Sequence, residues 1–117
     1  MTIIGFAKNT SKCLPRILCA QFKHCALITQ HNDKFVLHQF VKRKCIRRIT
    51  ITERGLTQLE SNGWVFIYTK LPIQSFNQNA WTCVSYVKHA VGTHNFLIQT
   101  PNGLYKYLQK NLQKNLT

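Results

Sequence analysis

The sequence predicts an α+β domain, with antiparallel strands and a few packed helices. Three observations carry that expectation. Apolar, β-branched runs such as "CALIT", "FVLHQFV" and "WVFIYT" are set off by polar or Gly- and Pro-containing segments, as strands are. In "TCVSYVKHAVG" the apolar Val84, Val87, Ala90 and Val91 recur at helical spacing and stop at Gly92. The chain has 117 residues, 44% of them hydrophobic, and shows no repeat or low-complexity tract, so residues 1–117 read as one domain with its own core.

The elements follow in order. "TIIGFAK" (2–8) is a short apolar strand. "NTSKCLPRILCAQF" (9–22) opens on cap-type residues and tolerates Pro15 in its first turn, so it reads as a short helix. "KHCALIT" (23–29) and "FVLHQFV" (35–41) flank the five-residue polar loop "QHNDK" and make a hairpin. Pairing Ile28 with Val36 would put His24, Ala26, Ile28, Val36, His38 and Phe40 on one face, because strand side chains alternate. "KRKCIRRITIT" (42–52) continues as a third strand, basic on both faces at its start. "ERGLTQLESNG" (53–63) reads as a short helix closed by Gly63. "WVFIYTKL" (64–71) is apolar on both faces, which predicts a central strand ended by Pro72. Thr82 is the N-cap expected for the 83–91 helix, and Gly92 its C-cap. "HNFLIQ" (94–99) reads as a last strand. Thr100 and Pro101 then cap and open a final helix whose polar end, 111–117, is expected to fray.

Charge is the unusual feature. Sixteen Lys and Arg face only Asp33, Glu53 and Glu60, a net charge of +13. Such a balance favours anionic partners, whether nucleic acid, a lipid headgroup surface or an acidic protein, and it also keeps a small protein soluble. The five cysteines are odd in number and include no C-x-x-C pair, which argues against a disulfide framework and a regular zinc site. A metal site from Cys19, His24 and Cys25 is disfavoured as well, since a strand would send His24 and Cys25 to opposite faces. No cofactor is implied. Lysines and arginines interrupt any signal-like stretch, and no run approaches the ~20 apolar residues of a spanning helix. A cytoplasmic or virion-associated protein is the expectation.

Cys83 opens the 83–91 helix. The first turn of a helix lowers a thiol pKa, because its unpaired backbone N–H groups point at the sulfur. The same groups can hold an oxyanion. A nucleophile also needs a base. His89 lies almost two turns along the same helix and His31 in the hairpin loop, whereas the assumed register points His24 and His38 the same way. The proposal from sequence is therefore Cys83 as nucleophile, His24 as general base and later acid, and His38 holding the His24 ring. Gln39 is the less favoured orienter, since it should face the other side. Carboxylates are scarce, so a neutral orienter is expected.

At these residues the chain resembles the circularly permuted branch of the NlpC/papain-like superfamily, which includes YiiX-like and lecithin:retinol acyltransferase-like proteins. "FKHCALITQHNDKFVLHQF" resembles that family's histidine hairpin. "WTCVSYVKHAVG" resembles its cysteine helix, with Tyr86 as the aromatic three residues after the cysteine. The early "IGFAKNTSKCLPRILCAQF" is similar to the lead-in to the histidine, and "FLIQTPNGLYKYLQK" resembles the tails of small phage members. The likeness runs from about Ile4 to Lys110. It implies a permuted papain-like fold, a Cys83–His24–His38 triad and thiol-dependent hydrolysis or acyl transfer on an amide, peptide or acyl ester, a cysteine-peptidase or amidase type of chemistry. The chain departs from the pattern after Gly5, where Phe6 stands in place of an acidic residue.

Two rival readings come from the same sequence. "VKRKCIRRITITER" supplies Lys42, Arg43, Lys44, Arg47, Arg48 and Arg54, and with exposed Phe40, Trp64, Phe66 or Tyr68 it would suit a nucleic-acid or other anion-binding surface. A basic strand also guards a sheet edge against unwanted pairing. The small size and the Asn-, Gln- and Lys-rich composition would equally suit a phage virion protein that keeps the fold without the chemistry.

Overall fold

The computed structural model describes residues 2–8, 22, 24–70, 73, 76–77, 79–93 and 97–116. In chain order these form β1 (Thr2–Ala7), β2 (His24–His31), β3 (Lys34–Lys42), β4 (Cys45–Ile51), α1 (Glu53–Ser61), β5 (Val65–Thr69), α2 (Cys83–Val91) and α3 (Pro101–Leu116). The protein is thus α+β, with one antiparallel five-stranded sheet ordered β4-β3-β2-β1-β5. No helix among the described residues is long and apolar enough to cross a membrane.

Both sheet faces are covered, which explains the lack of simple alternation in β1, where all six residues are buried. Ile4, Phe6, Cys25 and Leu27 point at α2 and α3 and pack with Val84, Tyr86, Val87, Ala90, Leu104 and Leu108. On the other face Ile3, Ala26, Ile28, Phe35 and Leu37 pack with Leu56 of α1. Phe6, at the position where the family pattern has an acid, is fully buried among Phe22 and Tyr105. Gly5 leaves room for Trp64, whose ring carbons would lie 3.0 Å and 3.1 Å from a Cβ there.

The helix ends follow local chemistry. Thr52 and Thr82 cap α1 and α2 by accepting from the backbone N–H of Gly55 and Ser85, at 3.2 Å and 3.0 Å. Gly92 ends α2 in the left-handed region, with φ 78°. Thr100 accepts from Gly103 N–H at 3.0 Å ahead of Pro101, and the Lys88 ammonium donates to the Ile98 carbonyl at 2.9 Å, tying α2 to the lead-in of α3.

Four expectations need correction. The β2–β3 loop is a two-residue turn at Asn32 and Asp33, not a five-residue loop; Asn32 takes a positive φ of 59° that lets the strands run on to His31 and Lys34. Exchanging an odd loop for an even one shifts the pairing by one residue, so Ile28 lies opposite Leu37, not Val36. The strand in the 64–71 run, β5, lies at an edge among the described residues, paired through β1 alone. Its apolar character on two sides reflects cover from above and below the sheet: Val65 and Ile67 face the helices, Trp64 and Phe66 the α1 side. Of the strand expected at 94–99, residues 97–99 are not a strand and 94–96 lie outside the described residues. The helix read at 9–22 falls almost wholly outside the described residues.

Candidate active site

The β2–β3 ladder ends at Leu27 and His38. Beyond it, the start of β2 and the end of β3 part, and the start of α2 sits over the gap. A cleft of about 350 Å³ opens there, lined by His24, Cys25, Ala26, Gln39, Phe40, Val41, Trp64, Trp81, Thr82 and Cys83. Its lining includes residues from both faces of the sheet, Cys25 and Phe40 on the side covered by α2 and α3 and His24 and Gln39 on the other.

Cys83 is half-buried at the first position of α2. The buried Cys25 thiol donates a hydrogen bond to its sulfur, the largest influence on its ionisation. Burial opposes charge. The Cys25 backbone N–H, the nearby His24 ring and the Val84 backbone N–H all favour the thiolate. The outcome is a thiol held at about 6, against an ordinary 9.0. The same bond and its own burial push Cys25 well up, so Cys25 is the donor and Cys83 the ion. Cys25 has no paired partner on β3, whose ladder with β2 ends at Leu27.

His24 and Cys83 thus line one cleft, nearly sixty positions apart in sequence. His38 does not join them. With the corrected register it lies opposite Leu27, on the face covered by α2 and α3 with Cys25, and so on the opposite face from His24, whose ring it does not hold. His24 shares its face with Gln39, and His38 does not line the cleft. Its Nε2 is 3.1 Å from the Thr29 hydroxyl, which also lies 3.0 Å from His31 Nε2, so one hydroxyl bridges the two rings. Phe76 stacks on the His38 ring at 5.1 Å. Burial, with help from Arg48 and His31, lowers His38 to about 4. Gln39, the residue disfavoured by the assumed pairing, is the one that lines the cleft. The missed signal was the parity of the "HNDK" turn, where Asn followed by Asp suits a two-residue connection.

No carboxylate approaches this cleft. Asp33, Glu53 and Glu60, the only three in the chain, all line a second cavity of about 350 Å³ on the α1 side. Among the described residues no three His, Cys, Asp or Glu side chains are grouped as metal ligands. Lys42, Arg43, Lys44, Arg47 and Arg48 are all exposed, but they do not form one patch: Arg47 and Arg48 alternate across the edge strand, opposite Gln39 and His38. Only Arg43 meets the cleft rim, its guanidinium carbon 4.1 Å from the ring centroid of Trp81, which is 72% exposed. Of the aromatics considered for stacking, Phe40, Trp64 and Phe66 are partly buried, and exposed Tyr68 donates to Glu60 Oε1 at 3.3 Å. Compared with known proteins, the chain matches no family model, no curated protein and no solved structure.

Proposed function

We propose that the protein is a thiol-dependent hydrolase or acyltransferase, with a permuted papain-like arrangement in which Cys83 is the nucleophile and His24 the general acid and base. One observation carries this reading: a thiol favoured as thiolate at the start of a helix lines an accessible cleft together with an exposed histidine. The Cys83 sulfur bonds to the carbonyl carbon of an amide, peptide or ester, and the carbonyl electron pair moves to oxygen. The oxyanion collapses to a thioester as the leaving group departs with a proton from His24. Water or an acceptor nucleophile, deprotonated by His24, then displaces the sulfur. Gln39 is the neutral polar side chain present to orient the ring, in the place first given to His38. Phe40, Val41, Trp64 and Trp81 make the walls suitable for an apolar acyl group or side chain.

The test uses p-nitrophenyl acetate as a generic acyl donor. Intact-protein mass spectrometry should show an acetyl group on Cys83 that turns over. His24→Ala should still acylate but release acetate roughly 100-fold more slowly, the usual scale of acid–base assistance. Acylation no faster than in the isolated 79–92 peptide, with no effect of His24→Ala, would remove the enzymatic reading.

The Arg43–Trp81 contact supports a second reading, an anion-binding rim at the β3–β4 turn formed with exposed Lys42 and Lys44. Oligonucleotide affinity that falls steeply with salt and is lost in Arg43→Glu would favour it.

A further inference from the structure

We propose that Cys25 and Cys83 form a reversible oxidation site, in which a hydroperoxide oxidises Cys83 and Cys25 closes a disulfide onto it. The inference does not rest on the acyl-transfer reading; it needs only the two thiols. They lie 58 positions apart in sequence, yet β2 and α2 bring them into one core cluster and onto one cleft wall, close enough for the Cys25 thiol to favour the Cys83 thiolate.

The two sulfurs are not equivalent. Cys83 is half-buried on the cleft, while Cys25 is only 3% exposed. A small oxidant therefore reaches Cys83 first, and Cys83 is also the one that carries the charge. In the first step the Cys83 thiolate attacks the peroxide oxygen. The O–O bond breaks, sulfur is oxidised to the sulfenic acid, and the leaving oxygen takes a proton to become water or an alcohol. In the second step the Cys25 sulfur attacks the Cys83 sulfur. The S–O bond breaks, the Cys25 proton leaves with the hydroxyl as water, and the disulfide forms. A small-molecule dithiol reverses the process, with its own sulfurs oxidised to a disulfide.

Geometry sets the choice of partner. Cys45 is exposed on β4 and does not line the cleft, so it does not compete at the Cys83 sulfur. The disulfide would consume the thiolate and close one wall of the cleft against the start of α2. A sulfenic acid with no second thiol would instead proceed to irreversible sulfinic acid.

The experiment treats the full chain with about one equivalent of hydrogen peroxide, then alkylates and digests it with trypsin. Every cysteine falls in a different tryptic peptide, with Cys25 in residues 24–34 and Cys83 in 71–88. A linked 24–34/71–88 pair is expected, with free thiols falling from five to three, restored by dithiothreitol. Dimedone should label Cys83 in Cys25→Ser but not in the unaltered chain. The proposal is overturned if the unaltered chain accumulates dimedone-labelled or sulfinic Cys83 while Cys25 stays alkylatable. Crosslinking of Cys83 to Cys13, Cys19 or Cys45 in equal yield would overturn it too. The central readout uses the unaltered protein, so misfolding of a variant cannot decide it. A chain that forms the disulfide yet never turns over an acyl donor would keep this proposal and remove the enzymatic one.

Discussion

The reactivity of Cys83 as a function of pH gives a quantitative test of the site. With the thiol at about 6, against an ordinary 9.0, roughly nine-tenths of it is ionised at pH 7, compared with about one-hundredth of an ordinary thiol. Ionisation alone would make it ~90-fold faster, but a less basic thiolate is a weaker nucleophile. With a Brønsted coefficient of about 0.45, a thousandfold lower basicity costs roughly 20-fold. The net advantage over an ordinary thiol is therefore about fourfold at pH 7, about 40-fold at pH 5, and gone by pH 8. The assay is thiol exchange with 4,4′-dithiodipyridine, an uncharged reagent that the +13 chain does not attract. The reference is the isolated 79–92 peptide, too short to hold a helix in water. The Cys83 rate should reach half its plateau near pH 6 and stay flat above pH 7, while the peptide rate still climbs tenfold per pH unit. Cys25→Ala should move the midpoint up further than His24→Ala, since the thiol hydrogen bond outweighs the imidazole charge. A folded-protein profile that tracks the peptide would refute the reasoning.

Other consequences are measurable on the fold itself. Gly5→Ala drives a methyl to 3.0 Å from the Trp64 ring and should cost about 1–3 kcal/mol in urea unfolding; an unchanged midpoint would show that Trp64 moves freely. Thr82→Ala removes the acceptor for Ser85 N–H and should cost about 1 kcal/mol, and Thr82→Ser should recover most of it. His38 is held at about 4 in the folded chain against an ordinary 6.5. Between these values the unfolded state binds more protons, so stability is full above pH 6.5 and declines as pH falls toward 4. His38→Gln should flatten that part of the stability–pH curve, and a curve of unchanged slope would count against the buried neutral ring.

Most of the fold was legible because its signals are local. The caps at Thr82 and Gly92 and the 3.6-residue spacing of Val84, Val87 and Ala90 define α2 without reference to anything distant. The β2–β3 hairpin was likewise legible as a hairpin. Its register was not, because register depends on how many residues the turn takes, and one residue there carries His38 to the other face. The edge position of β5 was hidden for a different reason. A strand covered on both faces has the same composition at an edge as in the centre, and only pairing partners distinguish the two. The site was half legible for the same causes. Cys83 could be placed from its own helix and His24 from its own strand, whereas the Cys25–Cys83 contact is a tertiary event with no sequence mark.

The absence of a carboxylate from the cleft changes what holds its charge. In a Cys–His–Asp arrangement the acid balances an imidazolium. Here all three acids sit on the α1 side, so the anion in the cleft is the thiolate itself. It is surrounded by three donors, one thiol and two backbone N–H groups, and by the favourable charge of the His24 imidazole. Three of these four depend on where β2 and β3 separate. Had the ladder continued past Leu27, the Cys25 N–H would be directed at β3 and the cleft would be shut by strand pairing. Past that point β3 carries on toward the turn with β4, and a bulge between Phe40 and Lys42 shifts the β3–β4 pairing there. Where its pairing with β2 has ended, β3 still pairs with β4, and the cleft that holds the Cys83 sulfur opens at that level.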